Sequence, residues 1–234
     1  MKVRIIMAIS CLHLMLNTQA QTRTYVSGSS EMIFSFGKII SNGNEMSSEL
    51  RWSPVFNGEG LMNHDFTQHM GIFYGLAYRN VGFIYKPTAD TLKKFRTYNL
   101  GIPVGIKLGN LDGTFLYGGY EFEMPFNYKE KTFIDEVKKE VFDVWFTDRV
   151  NWYTQSVFFG INFKGGTNLK FKYYIDPFFN RNFSQTVAGV ATKPFEKLEV
   201  NVFYIALSWN VFKDVKSYNK SRFNKQAEHV PTAL

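Results

Sequence analysis

The sequence predicts an all-β chain: an eight-stranded antiparallel up-and-down transmembrane β-barrel. Three observations predict it. Residues 98–108, YNLGIPVGIKL, alternate without a break, with Leu100, Ile102, Val104, Ile106 and Leu108 on one register and Asn99, Gly101, Pro103, Gly105 and Lys107 on the other. A period of two sends these sets to opposite faces of a strand. An apolar face backed by small, polar and charged residues suits a strand with lipid outside and a narrow lumen inside. Further segments along the chain repeat the pattern. The connections between them also alternate between short and long, the asymmetry of barrels with tight periplasmic turns and long external loops.

Composition agrees with this reading. The 234 residues include 24 Phe and 13 Tyr, yet the mean hydropathy is only −0.19. Past the N-terminus no run of about 18 apolar residues occurs, which excludes a transmembrane helix and leaves strands as the way across. Residues 1–20 read as a secretory signal peptide: Lys2 and Arg4 precede an apolar stretch over 5–16, and the segment 17–20 offers a cleavage site before Gln21. Cys11, the only cysteine, falls inside it. The mature chain is therefore expected to lack disulfides, thiol nucleophiles and Cys-based metal sites. The formal charge of +7, on an exported chain, points to anionic lipid head groups or an acidic protein partner and not to nucleic acid.

Taken in order, residues 21–30 read as an N-terminal periplasmic segment and 31–213 as the barrel. Strand one spans 31–39, with Met32, Phe34 and Phe36 against Ile33, Ser35 and Gly37. Strand two spans 50–57, with Leu50, Trp52, Pro54 and Phe56 against Arg51, Ser53 and Val55. Strand three runs over 68–85, Ile72, Tyr74, Leu76 and Tyr78 opposing Phe73, Gly75, Ala77 and Arg79. A hairpin at Arg79-Asn80 would give nine strands, an odd number that cannot bring both ends to one side. A charged connection over 86–95 leads to strand four, residues 98–108, and the turn Asn110-Leu111-Asp112-Gly113 follows.

Strand five, 114–126, offers Leu116, Tyr120, Phe122 and Met124 outward and Tyr117, Gly119, Glu121 and Glu123 inward. The connection 128–150 is dense in both charge signs but carries Phe133, Val141, Phe142, Trp145 and Phe146, which a solvated loop does not need. It is expected to continue strands five and six as a hairpin above the bilayer, or else to form a docking surface. Strand six spans 152–164. Gly165-Gly166 turns into strand seven, 168–179, where Leu169, Phe171, Tyr173 and Ile175 oppose Lys170, Lys172 and Tyr174. Strand eight, 198–212, sets Phe203, Ile205, Leu207, Trp209 and Val211 against Asn201, Tyr204, Ser208 and Asn210. Residues 214–234 read as a polar, basic periplasmic tail, so both termini are expected in the periplasm.

The inward register collects Arg51, Arg79, Lys107, Lys170 and Lys172 against Glu121 and Glu123. An eight-stranded barrel has an interior just wide enough to be filled by side chains. Charges held there must pair, so a lumen ion network is expected in preference to a basic conduit for anions. Trp52, Trp152 and Trp209 suit aromatic girdles at the two interfaces. His64 and His69 lie near a turn with no adjacent Ser or Cys to complete a nucleophilic arrangement. No catalytic residue, cofactor or metal site is expected.

The runs GLAYRNVGFIY, RTYNLGIPVGIKLG and FLYGGYEF are similar to the PorT-like outer-membrane β-barrel family of Bacteroidota, with Tyr98, Ile102, Pro103 and Lys107 carrying the match. Asn99-Leu100-Gly101 departs from the family, which tends to place Leu-Glu there, so a carboxylate common in the family is absent. The resemblance implies an eight-stranded barrel of the outer membrane and much less about activity. The function expected is that of a small non-enzymatic outer-membrane barrel, structural or accessory in an envelope complex of the secretion or outer-membrane-protein-assembly type. Its expected contacts are outer-membrane lipid and a protein partner. A narrow transport barrel for a small or hydrophobic solute and a lipid-acting enzyme are the alternatives.

Overall fold

The computed structural model describes residues 22–213, so the signal peptide over 1–20, Cys11 and the tail over 214–234 lie outside the described residues. The strands, in chain order, are β1 (Arg23–Ser41), β2 (Asn44–Met46), β3 (Ser48–Glu49), β4 (Arg51–Ser53), β5 (Gly58–Asp65), β6 (Met70–Tyr85) and β7 (Thr91–Gly109). There follow β8 (Phe115–Ile134), β9 (Val137–Trp145), β10 (Thr154–Asn162), β11 (Thr167–Tyr174), β12 (Gln185–Val187), β13 (Val190–Thr192) and β14 (Leu198–Lys213). Eight of these close a ring of antiparallel pairs: β1–β5–β6–β7–β8–β10–β11–β14 and back to β1. Closure pairs both sides of every ring strand, which removes the exposed edges an open sheet would present. The fold is an all-β, eight-stranded, up-and-down barrel.

The wall departs from the sequence expectation at several points, each with a local cause. Strand one starts at Arg23, and Arg23 to Ser30 pair with Asp65 to Gly58. Residues 21–30 are therefore largely wall, which the small, polar run Ser27-Gly28-Ser29-Ser30 concealed. The second wall strand lies mainly in β5, GEGLMNHD, and only Arg51–Ser53 of the expected 50–57 pairs with β1. Between them Pro54 has no N–H to donate and Phe56 adopts a left-handed φ of 61°. Asn57 repairs the gap: its Nδ2 donates to the Ser53 and Val55 carbonyls at 3.0 and 3.1 Å, and its Oδ1 accepts from the Asn80 amide at 2.7 Å.

Strand three runs unbroken through Arg79-Asn80. Strand four begins at Thr91, shortening the expected 86–95 connection, because Thr91 to Thr97 pair with β8 above the greasy stretch. Strand seven stops at Tyr174, short of 179. The 128–150 segment forms a hairpin, β8 with β9, that prolongs strand five only; residues 146–153 separate it from β10. Asn201 shares the odd register of Phe203, not that of Tyr204.

Alternation sorts the two faces. On β7, Leu100, Ile102, Val104, Ile106 and Leu108 are 42–53% exposed while Lys107 between them is 3% exposed. Exposed apolar residues on β6, β8, β10, β11 and β14 continue this belt around the ring. Trp52 and Trp152 stand exposed at its loop end and Trp209 at its turn end. Inside, the loop-end half is filled by an apolar cluster around Phe83, Phe95, Phe178, Phe179 and Phe195. The segment 175–197 folds back to build it. The Phe178 amide donates to the Val200 carbonyl at 2.7 Å, and the Phe179 ring stacks on Phe195 at 4.2 Å and meets Phe95 edge-on at 5.1 Å. Side chains thus plug that end of the barrel.

Candidate functional site: the lumen

Below the aromatic plug the lumen holds a layer of charge. Each member sits on an inward position of its strand: Glu31 on β1, Glu59 on β5, Arg79 on β6, Glu121 and Glu123 on β8, Lys170 and Lys172 on β11. Arg79 is fully buried and donates to Glu31 at 2.9 Å, Glu59 at 2.6 Å and Glu121 at 3.3 Å, with a further bond to the Gly58 carbonyl at 3.2 Å. Lys170 bridges Glu31 at 2.6 Å and Glu59 at 2.9 Å. Lys172 joins Glu121 at 2.6 Å to Glu123. Glu123 also accepts from Asn99 Nδ2 and the Tyr174 hydroxyl, each at 2.7 Å.

Geometry dictates this density of pairing. A charge removed from water is tolerated only with partners that repay its lost hydration, and in a barrel of this width most of those partners are other side chains. The network cross-links five of the eight ring strands through the lumen. Arg79, Lys170 and Lys172 meet four carboxylates, and one oxygen, Oε1 of Glu121, has no hydrogen-bond partner among the described residues. That oxygen rests against Gly101, where a Cβ would lie 2.2 Å from it. Position 101 must therefore remain glycine for Glu121 to lie flat against the wall.

Nearer the turn end a second group forms. Lys107 donates to Asp65 at 2.5 Å and to Asn63 Oδ1 and the Tyr25 hydroxyl, each at 3.0 Å. Arg23 reaches the same Asp65 at 3.1 Å and also pairs with Asp112. Between the two groups lies a cavity of about 400 Å³, bordered by Glu59, Lys170, Asn63, Lys107 and Tyr117 among others. The Tyr117 hydroxyl is buried there without a partner among the described residues.

Of the residues picked out in the sequence, the structure therefore brings Arg79, Glu121, Glu123, Lys170 and Lys172 into one network and places Lys107 in a separate one. Arg51 belongs to neither. Its guanidinium donates to the Asn80 carbonyl at 3.1 Å and to the Asn80 side chain, in the wall gap beside β4. It lies opposite Ser35, four residues along β1 from Glu31, and so stands above the lumen carboxylates. Sequence reasoning missed Glu31, Glu59 and Asp65. Glu31 was readable, since it shares the odd register of Ile33 and Ser35. The other two sit in GEGLMNHD, which has no alternation to signal a strand. His64 and His69 do not converge: His64 meets Thr24 Oγ1 at 2.9 Å, while His69 Nδ1 lies 3.2 Å from the Gly109 carbonyl. Among the described residues no cluster of three or more potential metal-ligating side chains occurs.

No family model matches the chain, and no curated protein matches it. Solved structures similar to it include three small outer-membrane barrels. The attachment invasion locus protein Ail of Yersinia pestis is 10% identical, with 80% of this chain and 99% of that chain covered at a TM-score of 0.37. Neisserial surface protein A is 7% identical, covering 80% and 96% at 0.34. OprG from Pseudomonas aeruginosa is 11% identical, covering 83% and 99% at 0.36. The closed ring of strand pairs, and not these distant similarities, establishes the fold.

Proposed function

We propose that this protein is a non-enzymatic outer-membrane β-barrel with a structural or accessory role in an envelope complex. One observation carries the reading: the ring turns an apolar belt outward while salt bridges and an aromatic plug fill its inside. The wall suits the hydrocarbon of a bilayer, with Trp52 and Trp152 at one boundary and Trp209 at the other. Tight turns at 66–69, 110–114 and 163–166 gather at the end where β1 begins and β14 ends. That end is assigned to the periplasm, with the longer loops outside.

The filled lumen speaks against the transport alternative. Arg79, Glu121, Phe83 and Phe179 are each fully buried across the bore, so a solute would have to displace paired charges and packed rings. Among the described residues no hydrogen-bonded nucleophile-and-base pair stands at the loop end for lipid chemistry. Partners of the secretion or outer-membrane-protein-assembly type, suggested by the PorT-like motif, fit a barrel whose exposed features are its outer wall and the β8–β9 and β12–β13 hairpins.

The test has three readouts. The mature chain should fractionate with the outer membrane and migrate faster on a gel unheated than boiled. In planar bilayers it should give no single-channel steps, and native purification should retain a defined protein partner. A soluble protein without heat-dependent mobility would overturn the membrane reading, and regular conductance would overturn the filled-lumen role.

A further inference from the structure

Directly above the aromatic boundary, the outer wall changes from greasy to basic. On β7 the outward register climbs from Leu100 through Tyr98 to Arg96 and Lys94. The neighbouring β8 skips Phe126 in its pairing, and past that bulge Lys129 lies directly opposite Arg96 and Lys131 directly opposite Lys94. Four cations thus occupy two adjacent rungs of one face. Like charges directly opposite across a strand pair repel, so this arrangement is unfavourable unless an anion lies over it.

The chain supplies little of that anion. Lys129 pairs with Asp143. Among the described residues Arg96, Lys94 and Lys131 have no carboxylate partner, and Arg96 Nε is buried with no hydrogen-bond acceptor. Partial burial, and then the cations Arg96, Lys129, Lys138 and Lys94, hold the Lys131 ammonium below its usual range. Beside these rungs a cavity of about 410 Å³ lies between Arg96, Lys131 and the β4 segment carrying Trp52.

Height on the wall identifies the occupant. The Arg96 guanidinium sits 5.2 Å over the Tyr98 ring, and Tyr98 belongs to an aromatic cluster with Phe56 and Phe126. Aromatic side chains of this kind mark the head-group level. One rung higher, about 7 Å along the strand, is where lipid phosphates begin, and the apolar strip from Leu100 downward runs beneath it for acyl chains.

We propose that the face formed by Arg96, Lys129, Lys94 and Lys131 binds the phosphate head group of an outer-leaflet lipid, a phosphorylated glycolipid of the lipid A class. Arg96 supplies the planar fork that accepts two phosphate oxygens, and the lysines add point charge around it. The site rests on the outer-membrane reading above and deepens it, since it fixes the barrel's depth and tethers it to outer-leaflet lipid.

The test uses the mature chain folded in detergent and titrated with bis-phosphorylated lipid A, with the same lipid dephosphorylated, and with inorganic phosphate alone, bound lipid being counted by native mass spectrometry. Wild type should prefer the phosphorylated lipid by tenfold or more. Arg96→Gln with Lys131→Gln should weaken that binding by roughly thirtyfold, at the contribution expected for two basic residues near an anionic surface. The control Lys164→Gln, in the opposite turn, should leave it unchanged. Without lipid the double variant should melt no lower than wild type, because neutralising a self-repelling face removes strain; a variant that simply misfolds would melt lower. Equal binding of the dephosphorylated lipid, or saturation of the site by inorganic phosphate at the lipid's own concentration, overturns the proposal. A chain that does not insert into bilayers overturns the membrane reading instead, and the two failures are separately visible.

Discussion

Replacing Arg79 with Met isolates the contribution of the lumen network. Met has a comparable unbranched stem and no charge, so the packing of the aliphatic part survives. What disappears is the guanidinium that meets Glu31, Glu59 and Glu121 at 2.9, 2.6 and 3.3 Å. The four lumen carboxylates then face Lys170 and Lys172 alone. Removing one partner of a buried ion pair typically destabilises by about 3–5 kcal/mol, because the stranded charge keeps its desolvation penalty. Against a usual total of about 5–15 kcal/mol, Arg79→Met should remove a large fraction of stability. Adding Glu59→Gln removes one stranded carboxylate and should recover part of the loss, with a coupling energy of roughly 0.5–3 kcal/mol. Reversible urea unfolding in lipid vesicles, followed by tryptophan fluorescence, measures both. An Arg79→Met midpoint equal to that of an exposed change such as Glu45→Ala would refute the reasoning, as would a double variant with no recovery.

Three further outcomes follow from the same geometry. Gly101→Ala should destabilise by about 1–3 kcal/mol, since its Cβ would lie 2.2 Å from Glu121 Oε1, and the same unfolding assay should show the loss shrink when Glu121→Ala is added. Phe179→Ala, which empties the centre of the loop-end plug, should cost about 3–5 kcal/mol and raise proteolysis of the 175–197 segment. The Asp143 carboxyl is held below its usual range by its bond from Lys129 and then by that from Asn127. A depressed folded-state value means that its contribution to the β8–β9 hairpin is present above the ordinary carboxylate range and is lost as pH falls through the lowered value. A side-chain NMR titration should therefore place Asp143 below exposed aspartates, and an ordinary midpoint would contradict the pairing.

How much of this was legible in the sequence depends on what each strand must bury. Where one face is uniformly apolar and the other is not, as in 98–108 or 203–211, the period of two gave the strand and its facing directly. Residues 58–65 carry Gly58, Gly60, Asn63 and His64, whose faces differ little, so their place in the wall is set by pairing with β1 and β6 and not by their own pattern. The same holds for Arg23 to Ser30. The network was half readable: parity put Glu121, Glu123, Lys170 and Lys172 inside, but parity says nothing about height along the barrel axis. Lys107 and Arg79 share the inward face and still fall in different groups, because strand stagger decides which inward residues meet. Arg51 obeyed parity too, but it lies opposite Ser35, above the network, and meets Asn80 instead. The plug was not readable from alternation at all, since Phe178, Phe179 and Phe195 come from an irregular segment folded back by long-range contacts.

The central claim is that this wall faces lipid outside and a filled, charged lumen inside, and site-directed spin labelling along β7 tests it most directly. A chain expressed from Gln21 onward offers a clean background, since Cys11 is the only cysteine in the sequence. Single cysteines at 99 through 108, the two glycines 101 and 105 excepted, each labelled in reconstituted vesicles, report accessibility to oxygen, which concentrates in hydrocarbon, and to a water-soluble nickel chelate. The account predicts oxygen maxima at 100, 102, 104, 106 and 108, deepest at the central positions, with labels at 99, 103 and 107 immobile and shielded from both reagents. A flat profile, or nickel accessibility on the even register, would contradict it.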